Sequence, residues 1–67
     1  MKVLVNGRQS EVPELTTVTT LVRTLGRDTG KGLAVAVNGE VVARARWDHT
    51  KLSEDDRVEV LNAIGGG

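Results

Sequence analysis

The Asn-Gly dipeptide near the start of the chain constrains the fold strongly, because this pair marks a tight β-hairpin. A two-residue type I′ turn needs positive φ at both positions, and asparagine followed by glycine tolerates this best. Asn6-Gly7 therefore joins a predicted strand over residues 2–5 to a return strand over residues 8–12. Pro13 ends the return strand, because proline has no N–H to donate to a neighbouring strand.

A second Asn-Gly dipeptide, Asn38-Gly39, predicts a second hairpin. It follows the segment LAVAV, residues 33–37, which is almost continuously apolar, as expected near the centre of a sheet. The return segment is EVVARA, residues 40–45. A last strand is predicted over RVEVLN, residues 57–62, in which alternate valines face inward.

Between the two hairpins the hydrophobic period changes to that of a helix. Apolar residues at i, i+3, i+4 and i+7 form one stripe, and Thr16 or Thr17 can cap the helix start. Gly26 suits the left-handed residue that ends a helix, and Arg23 and Arg27 favour the negative end of its dipole. The stripe consists of Val18, Leu21, Val22 and Leu25.

The element order predicts the fold class. Strand, strand, helix, strand, strand, strand is typical of an α+β roll in which one helix covers one face of a mixed five-strand sheet. The first and last strands then lie side by side in parallel at the centre. Residues 47–56 are predicted to be irregular, with Trp47 and Leu52 as apolar anchors. No repeat, linker or second domain is evident.

Composition narrows the function. The 67 residues include no cysteine, so neither a disulfide nor a cysteine-held metal can stabilise the domain. Nine basic and nine acidic residues balance, which argues against nucleic-acid binding. No apolar run predicts a signal peptide or a membrane span, so a cytoplasmic protein is expected. So small a chain has little room for an enclosed pocket, which argues against an enzyme.

The whole chain resembles a known family. The order of elements followed by Gly-Gly describes the ubiquitin-like β-grasp fold. The segments AVAVNGEVV, with a following basic residue and Trp, and DRVEVLNAIGGG resemble the ThiS family, the sulfur carriers of thiamine (thiazole) biosynthesis. The resemblance implies a β-grasp domain over residues 1–64 and a flexible glycine tail over residues 65–67. Asp55 and Thr20 differ from the Gly and Glu that the family often has, and both changes bear on stability only.

The resemblance also implies the chemistry. A partner enzyme with ATP and Mg would adenylate the carboxylate of Gly67, and sulfur would then displace AMP to give a thiocarboxylate. Gly65 and Gly66 would thread into partner sites. The implied partners are an E1-like adenylating enzyme (ThiF-like), thiazole synthase (ThiG-like) and a sulfur donor such as a cysteine desulfurase. The chain itself is expected to bind no cofactor or metal and to hold no catalytic residue.

The residues are consistent with this chemistry. Without a thiol the chain cannot hold a persulfide, so the α-carboxylate of Gly67 is the remaining anchor for sulfur. Glycine has no Cβ to hinder the carbonyl and no stereocentre to lose on activation, and it reaches backbone conformations closed to other residues. On its own, the same GGG could equally be a frayed terminus or a linker remnant.

A docking surface is predicted on the sheet face away from the helix. By strand alternation Leu4 and Leu61 point opposite to the inward valines, and Ala34 and Ala36 join them. Single exposed leucines need no explanation, but an apolar set on one uncovered face beside the tail would suit a partner.

Other signals favour structural interpretations. The segment GRDTGKG, residues 26–32, lacks the spacing and the strand-to-helix context of a phosphate-binding loop. His49 is interpreted as an exposed loop residue and Trp47 as a core residue rather than a partner hot spot. SEDD, residues 53–56, is interpreted as a solvated turn, with electrostatic guidance toward a basic partner as a second role.

Alternative functions stay open from sequence alone. The chain could carry sulfur for another pathway, like the small subunit of molybdopterin synthase. It could be a protein modifier joined to a lysine through Gly67, or a β-grasp binding module with an incidental tail.

Overall fold

The computed structural model describes residues 1–26 and 32–62. Within them lie five strands, one α-helix and one 3₁₀ helix. No helix in these two segments is long and apolar enough to cross a bilayer. The elements are β1 (Lys2–Val5), β2 (Arg8–Glu11), α1 (Val18–Thr24), β3 (Leu33–Val37), β4 (Glu40–Val42), the 3₁₀ helix (Arg44–His49) and β5 (Arg57–Asn62).

Both predicted hairpins are confirmed. Asn6 and Gly7 have φ of 51° and 84°, and Asn38 and Gly39 have φ of 52° and 87°, as a type I′ turn requires. The turns join antiparallel pairs, β1 with β2 and β3 with β4. Because both turn residues have positive φ, each turn has the twist of its flanking strands.

The predicted topology is also confirmed. The strands form one sheet in the order β2-β1-β5-β3-β4. β5 lies at the centre, parallel to β1 and antiparallel to β3. This mixed five-strand sheet with one α-helix is the β-grasp fold, and it places the last strand of the chain between two others.

The core is aliphatic apart from one tryptophan, and it lies between the sheet and α1. β1, β3 and β5 contribute valines, and α1 contributes apolar side chains from about one and a half turns. The segments that connect these elements contribute the remaining buried residues. The buried hydrophobic residues are Val3, Val5, Val12, Val18, Leu21, Val22, Val35, Trp47, Leu52, Val58 and Val60.

Helix α1 begins as predicted but ends earlier than its apolar stripe. Thr17 is the N-cap, and its side chain accepts a hydrogen bond from the Thr20 N–H at 3.2 Å. Leu25 was expected to complete the buried stripe, and this is wrong, because its side chain is 40% exposed. The helix ends at Thr24 and Gly26 turns left-handed at φ 76°, so Leu25 lies beyond the last helical residue.

The segment after the second hairpin also differs from expectation. The predicted return segment ran through residue 45, but β4 stops at Val42 and the 3₁₀ helix follows. The 3₁₀ helix turns Trp47 into the core, where it is 1% exposed and its Nε1 donates to the Val42 carbonyl at 3.0 Å. The Arg44 guanidinium lies over the same indole, 4.5 Å from its centroid. Burial of Trp47 thus explains the short strand.

Replacing Trp47 with alanine should lower the free energy of unfolding by about 3–5 kcal/mol, because it leaves a large cavity in a small core. Urea titration followed by circular dichroism measures this. Val41→Ala is the control, since Val41 is 78% exposed and its loss should change stability by about 0.5 kcal/mol or less. Equal effects of the two substitutions would contradict the core assignment of Trp47.

Leu15 has a strained backbone. It lies in the turn before α1 with φ of 68°, and its side chain is 69% exposed. A branched residue seldom adopts this left-handed conformation, and here little burial compensates for it.

Leu15→Gly should therefore stabilise the domain by about 1 kcal/mol, because glycine adopts positive φ without steric cost. Leu15→Ala is the matched control, since it removes the exposed side chain and keeps the Cβ that causes the strain. A rise in melting temperature for glycine alone is expected. A rise of the same size for alanine would attribute the gain to the side chain and not to the backbone.

Candidate functional site

The predicted reactive end lies outside the described residues. Gly65, Gly66 and Gly67 belong to residues 63–67, and the described chain ends at Asn62 on β5. The structure therefore describes β5, the strand that precedes these residues in the chain and that we call the base. That base is the central strand, so its geometry is set by both neighbouring strands.

β3 holds one side of β5 along most of its length. The antiparallel register extends from Leu33 opposite Asn62 to Val37 opposite Val58. Because five residue pairs align, β5 is fixed from Val58 as far as Asn62 on this side. On this side, β5 is therefore paired as far as Asn62, the last described residue.

β1 holds the other side of β5 only over its first half. The Leu4 N–H donates to the Asp56 carbonyl at 2.9 Å, and the Asn6 N–H donates to the Val58 carbonyl at 2.8 Å. The main chain of β1 then turns away at Gly7. The Asn6 side chain continues the contact, since its Nδ2 donates to the Val60 carbonyl at 3.3 Å and its Oδ1 accepts from the Val60 N–H at 2.9 Å.

The acidic segment before β5 forms a hydrogen-bonded turn. Asp56 accepts from the Ser53 N–H at 2.8 Å and from Asn38 Nδ2 at 2.9 Å. Asn38 Oδ1 in turn accepts from the Arg57 N–H at 2.9 Å. Asp55 adopts φ of 68°, a conformation that aspartate tolerates better than most residues. SEDD therefore orders the entry to β5, and its proposed role in guiding a partner stays a prediction.

The sheet face opposite α1 carries the predicted docking residues. Leu61 is 58% exposed, and Ala34 lies directly opposite it in the ladder. Ala36 lies two residues along β3 on the same face, half-buried. The structure thus brings three of the four predicted residues together.

Leu4 lies apart from the other three. It pairs with Arg57, so Leu61 is four residues further along β5, about 13 Å at the usual rise per strand residue. Arg57 and Glu59 are both exposed, and by alternation they lie on this face between the two leucines. Leu4 itself is half-buried.

Val41 is a member of this face that the sequence reasoning missed. It pairs with Ala36 across the second hairpin and is 78% exposed. Its position follows from the two-residue turn at Asn38-Gly39, because that loop length fixes the register of the hairpin. We call Ala34, Ala36, Val41 and Leu61 the open-face patch.

The remaining polar candidates are structural or exposed. His49 is exposed at the end of the 3₁₀ helix. Asp48, its neighbour, accepts a hydrogen bond from the Thr19 hydroxyl and so ties the 3₁₀ helix to α1. Within residues 1–26 and 32–62, no group of three or more His, Cys, Asp or Glu side chains could hold a metal ion.

Comparisons of sequence and of structure with known proteins indicate the same family. The model of the ThiS family matches residues 3–67. The crystal structure of a thiamine biosynthesis protein (ThiS) from Geobacter metallireducens superimposes with a TM-score of 0.85, at 38% identity over the whole of both chains. A solution NMR structure of a thiamine biosynthesis protein from the same organism gives 0.80, covering this whole chain and 88% of the other.

Curated relatives include much longer proteins. The chain is 33% identical to a thiazole synthase of Paramagnetospirillum magneticum and 39% identical to one of Magnetococcus marinus. All 67 residues match in both cases, yet they span 20% of the length of each relative.

Proposed function

Because the chain belongs to the ThiS family, we propose that it is a sulfur carrier for thiamine biosynthesis, working through the carboxylate of Gly67. The observation that carries this proposal is the family match, which runs through residue 67 and so includes the glycines. The shared fold adds support, because it makes β5, the strand that precedes those glycines in the chain, the central strand of the sheet.

The proposed reaction begins with activation of Gly67. A carboxylate oxygen attacks the α-phosphorus of ATP, and pyrophosphate leaves, which gives an acyl adenylate. The outer sulfur of a persulfide on the donor then attacks the carbonyl carbon, and AMP leaves with the bonding electrons, which gives an acyl disulfide. A second thiolate, from a cysteine of the partner proteins, attacks the donor sulfur of that disulfide, forms a disulfide with it, and releases the thiocarboxylate. ATP and Mg are held by an E1-like adenylating enzyme, and the sulfur comes from a donor such as a cysteine desulfurase.

This chain's own contribution is to present an accessible carbonyl. Glycine offers no Cβ on either side of the reacting carbon and no stereocentre that activation could racemise. Ordering such residues costs roughly 1–2 kcal/mol each, which contacts in the partner site must offset. On this account the protein is a co-substrate and not a catalyst, in keeping with the exposed, unassisted position of His49.

Thiazole synthase is the proposed recipient of the sulfur. In the curated relatives of that name, a segment similar to this chain forms 20% of the protein. A segment similar to this chain thus shares one polypeptide with the rest of a thiazole synthase there, which supports contact between this chain and such an enzyme. The open-face patch is the proposed docking surface, because its Leu61 lies on the strand that leads to Gly67.

The decisive comparison is between a chain that ends at Gly67 and the same chain extended by one alanine. The extension leaves the core untouched, so both should melt at the same temperature, whereas only the first should restore thiamine synthesis in a strain without its carrier. ATP–pyrophosphate exchange with the adenylating enzyme should likewise be lost on extension. Restoration by the extended chain would contradict a working carboxylate at Gly67.

Leu61→Glu should weaken binding to the thiazole synthase about tenfold or more, because it places a charge at the centre of an apolar contact. Its effect on stability should stay near 0.5 kcal/mol, since the side chain is largely exposed. Leu15→Glu is the matched control, an exposed leucine in the turn between β2 and α1, outside the open-face patch. Isothermal titration measures both, and unchanged affinity for Leu61→Glu would remove the docking proposal.

A further inference from the structure

The side chain of Asn6 acts as an extra peptide group in the sheet. Its carboxamide donates to the carbonyl and accepts from the N–H of the same residue, Val60. The next residues of a longer β1 would otherwise offer such groups to β5. Since the main chain turns back at Gly7, the side chain extends the parallel contact from Val58 to Val60.

The turn conformation makes this contact available. Asn6 has φ of 51°, which most residues avoid and which asparagine tolerates. One residue therefore supplies both the first position of the type I′ turn and the amide that reaches the neighbouring strand. Threonine or serine could not present a donor and an acceptor in the planar arrangement of a peptide.

We infer that Asn6 is a positioning residue for the adenylation of Gly67. By fixing the Val60 backbone on the side where β1 has already ended, its carboxamide orders the part of β5 that precedes Gly67, so less backbone remains to be ordered when the adenylating enzyme binds. The strand that precedes Gly67 in the chain is then held on both sides as far as Val60. This inference rests on the proposed function, since it assigns a role in that reaction.

The other Asn-Gly turn provides the matched comparison. Asn38 has almost the same φ, and its side chain also bonds β5, accepting from the Arg57 N–H. The two asparagines thus hold opposite ends of one strand. Loss of either should destabilise the domain, but only the loss of Asn6 acts at the end that leads to Gly67.

The test compares Asn6→Gly with Asn38→Gly in the full chain. Glycine keeps each turn, because it adopts positive φ readily, and removes both side-chain hydrogen bonds. Amide hydrogen exchange should accelerate about tenfold at Val60 in Asn6→Gly and at Arg57 in Asn38→Gly, since each amide loses its acceptor. Melting temperatures should fall by similar amounts.

Adenylation separates positioning from stability. It is measured by ATP–pyrophosphate exchange with the adenylating enzyme, at a temperature where both variants are folded. Asn6→Gly should raise the KM for the carrier about five- to thirtyfold. This is the factor expected if the enzyme must order one more backbone residue of the carrier when it binds. The value of kcat should change by less than about twofold, because the bound geometry is recovered. Asn38→Gly should leave KM within about twofold.

Each outcome either supports or contradicts the positioning role of Asn6. A higher KM for Asn6→Gly alone supports the positioning role. Equal KM values for the two variants, or a KM that follows melting temperature, would reduce Asn6 to a stabilising residue and leave the proposed function intact. If the unaltered chain supports no exchange, the proposed function fails, and the positioning role fails with it.

Discussion

Burial of β5 between β1 and β3 is the constraint on which the rest of the molecule depends. A parallel pair cannot be joined by a tight turn, so the chain must cross over between β1 and β5. The elements between β1 and β5 form this crossover. α1 covers one face of the sheet, and the β3–β4 hairpin supplies the second neighbour of β5. The 3₁₀ helix places Trp47 in the core. Without disulfides, the small domain relies on this one aliphatic core.

The two Asn-Gly turns link local chemistry to this global arrangement. Each turn sets the register of a hairpin, and each asparagine also bonds the backbone of β5, Asn38 at its start and Asn6 near its end. The strand that precedes the glycines is thus held by two neighbouring strands and by two asparagine side chains. Such a base suits the proposed carrier role, because a partner can recognise a domain whose last described strand is held on both sides.

The sequence predicted most of this fold because its patterns are local. Asn-Gly dipeptides, the change of hydrophobic period at Val18 and the apolar segment LAVAV each specify one element. The predictions that were wrong concern positions where tertiary contacts determine the local structure. Leu25 fits the helical period, but the chain has already left the helix there. β4 ends early because Trp47 must be buried, which periodicity cannot reveal.

Part of the open-face patch could also be predicted from local patterns. Alternation placed Leu61, Ala34 and Ala36 on one face, whereas the separation of Leu4 depends on the parallel register of β1 and β5, which no turn fixes. Val41 could have been found from the hairpin register. The Asn6 contact could not, because it joins residues 54 positions apart through a side chain. The contact of Thr19 could not be predicted either, because this buried residue bonds to Asp48, which lies on the 3₁₀ helix.

The proposed function requires that sulfur is carried on the carboxyl carbon of Gly67. The most direct test is the intact mass of the chain after incubation with ATP, its adenylating enzyme and a sulfur donor. We expect a mass gain equal to the exchange of one oxygen for sulfur, located to Gly67 by fragmentation. A chain whose mass stays unchanged while its partner hydrolyses ATP, or one recovered only in larger lysine-linked species, would contradict it.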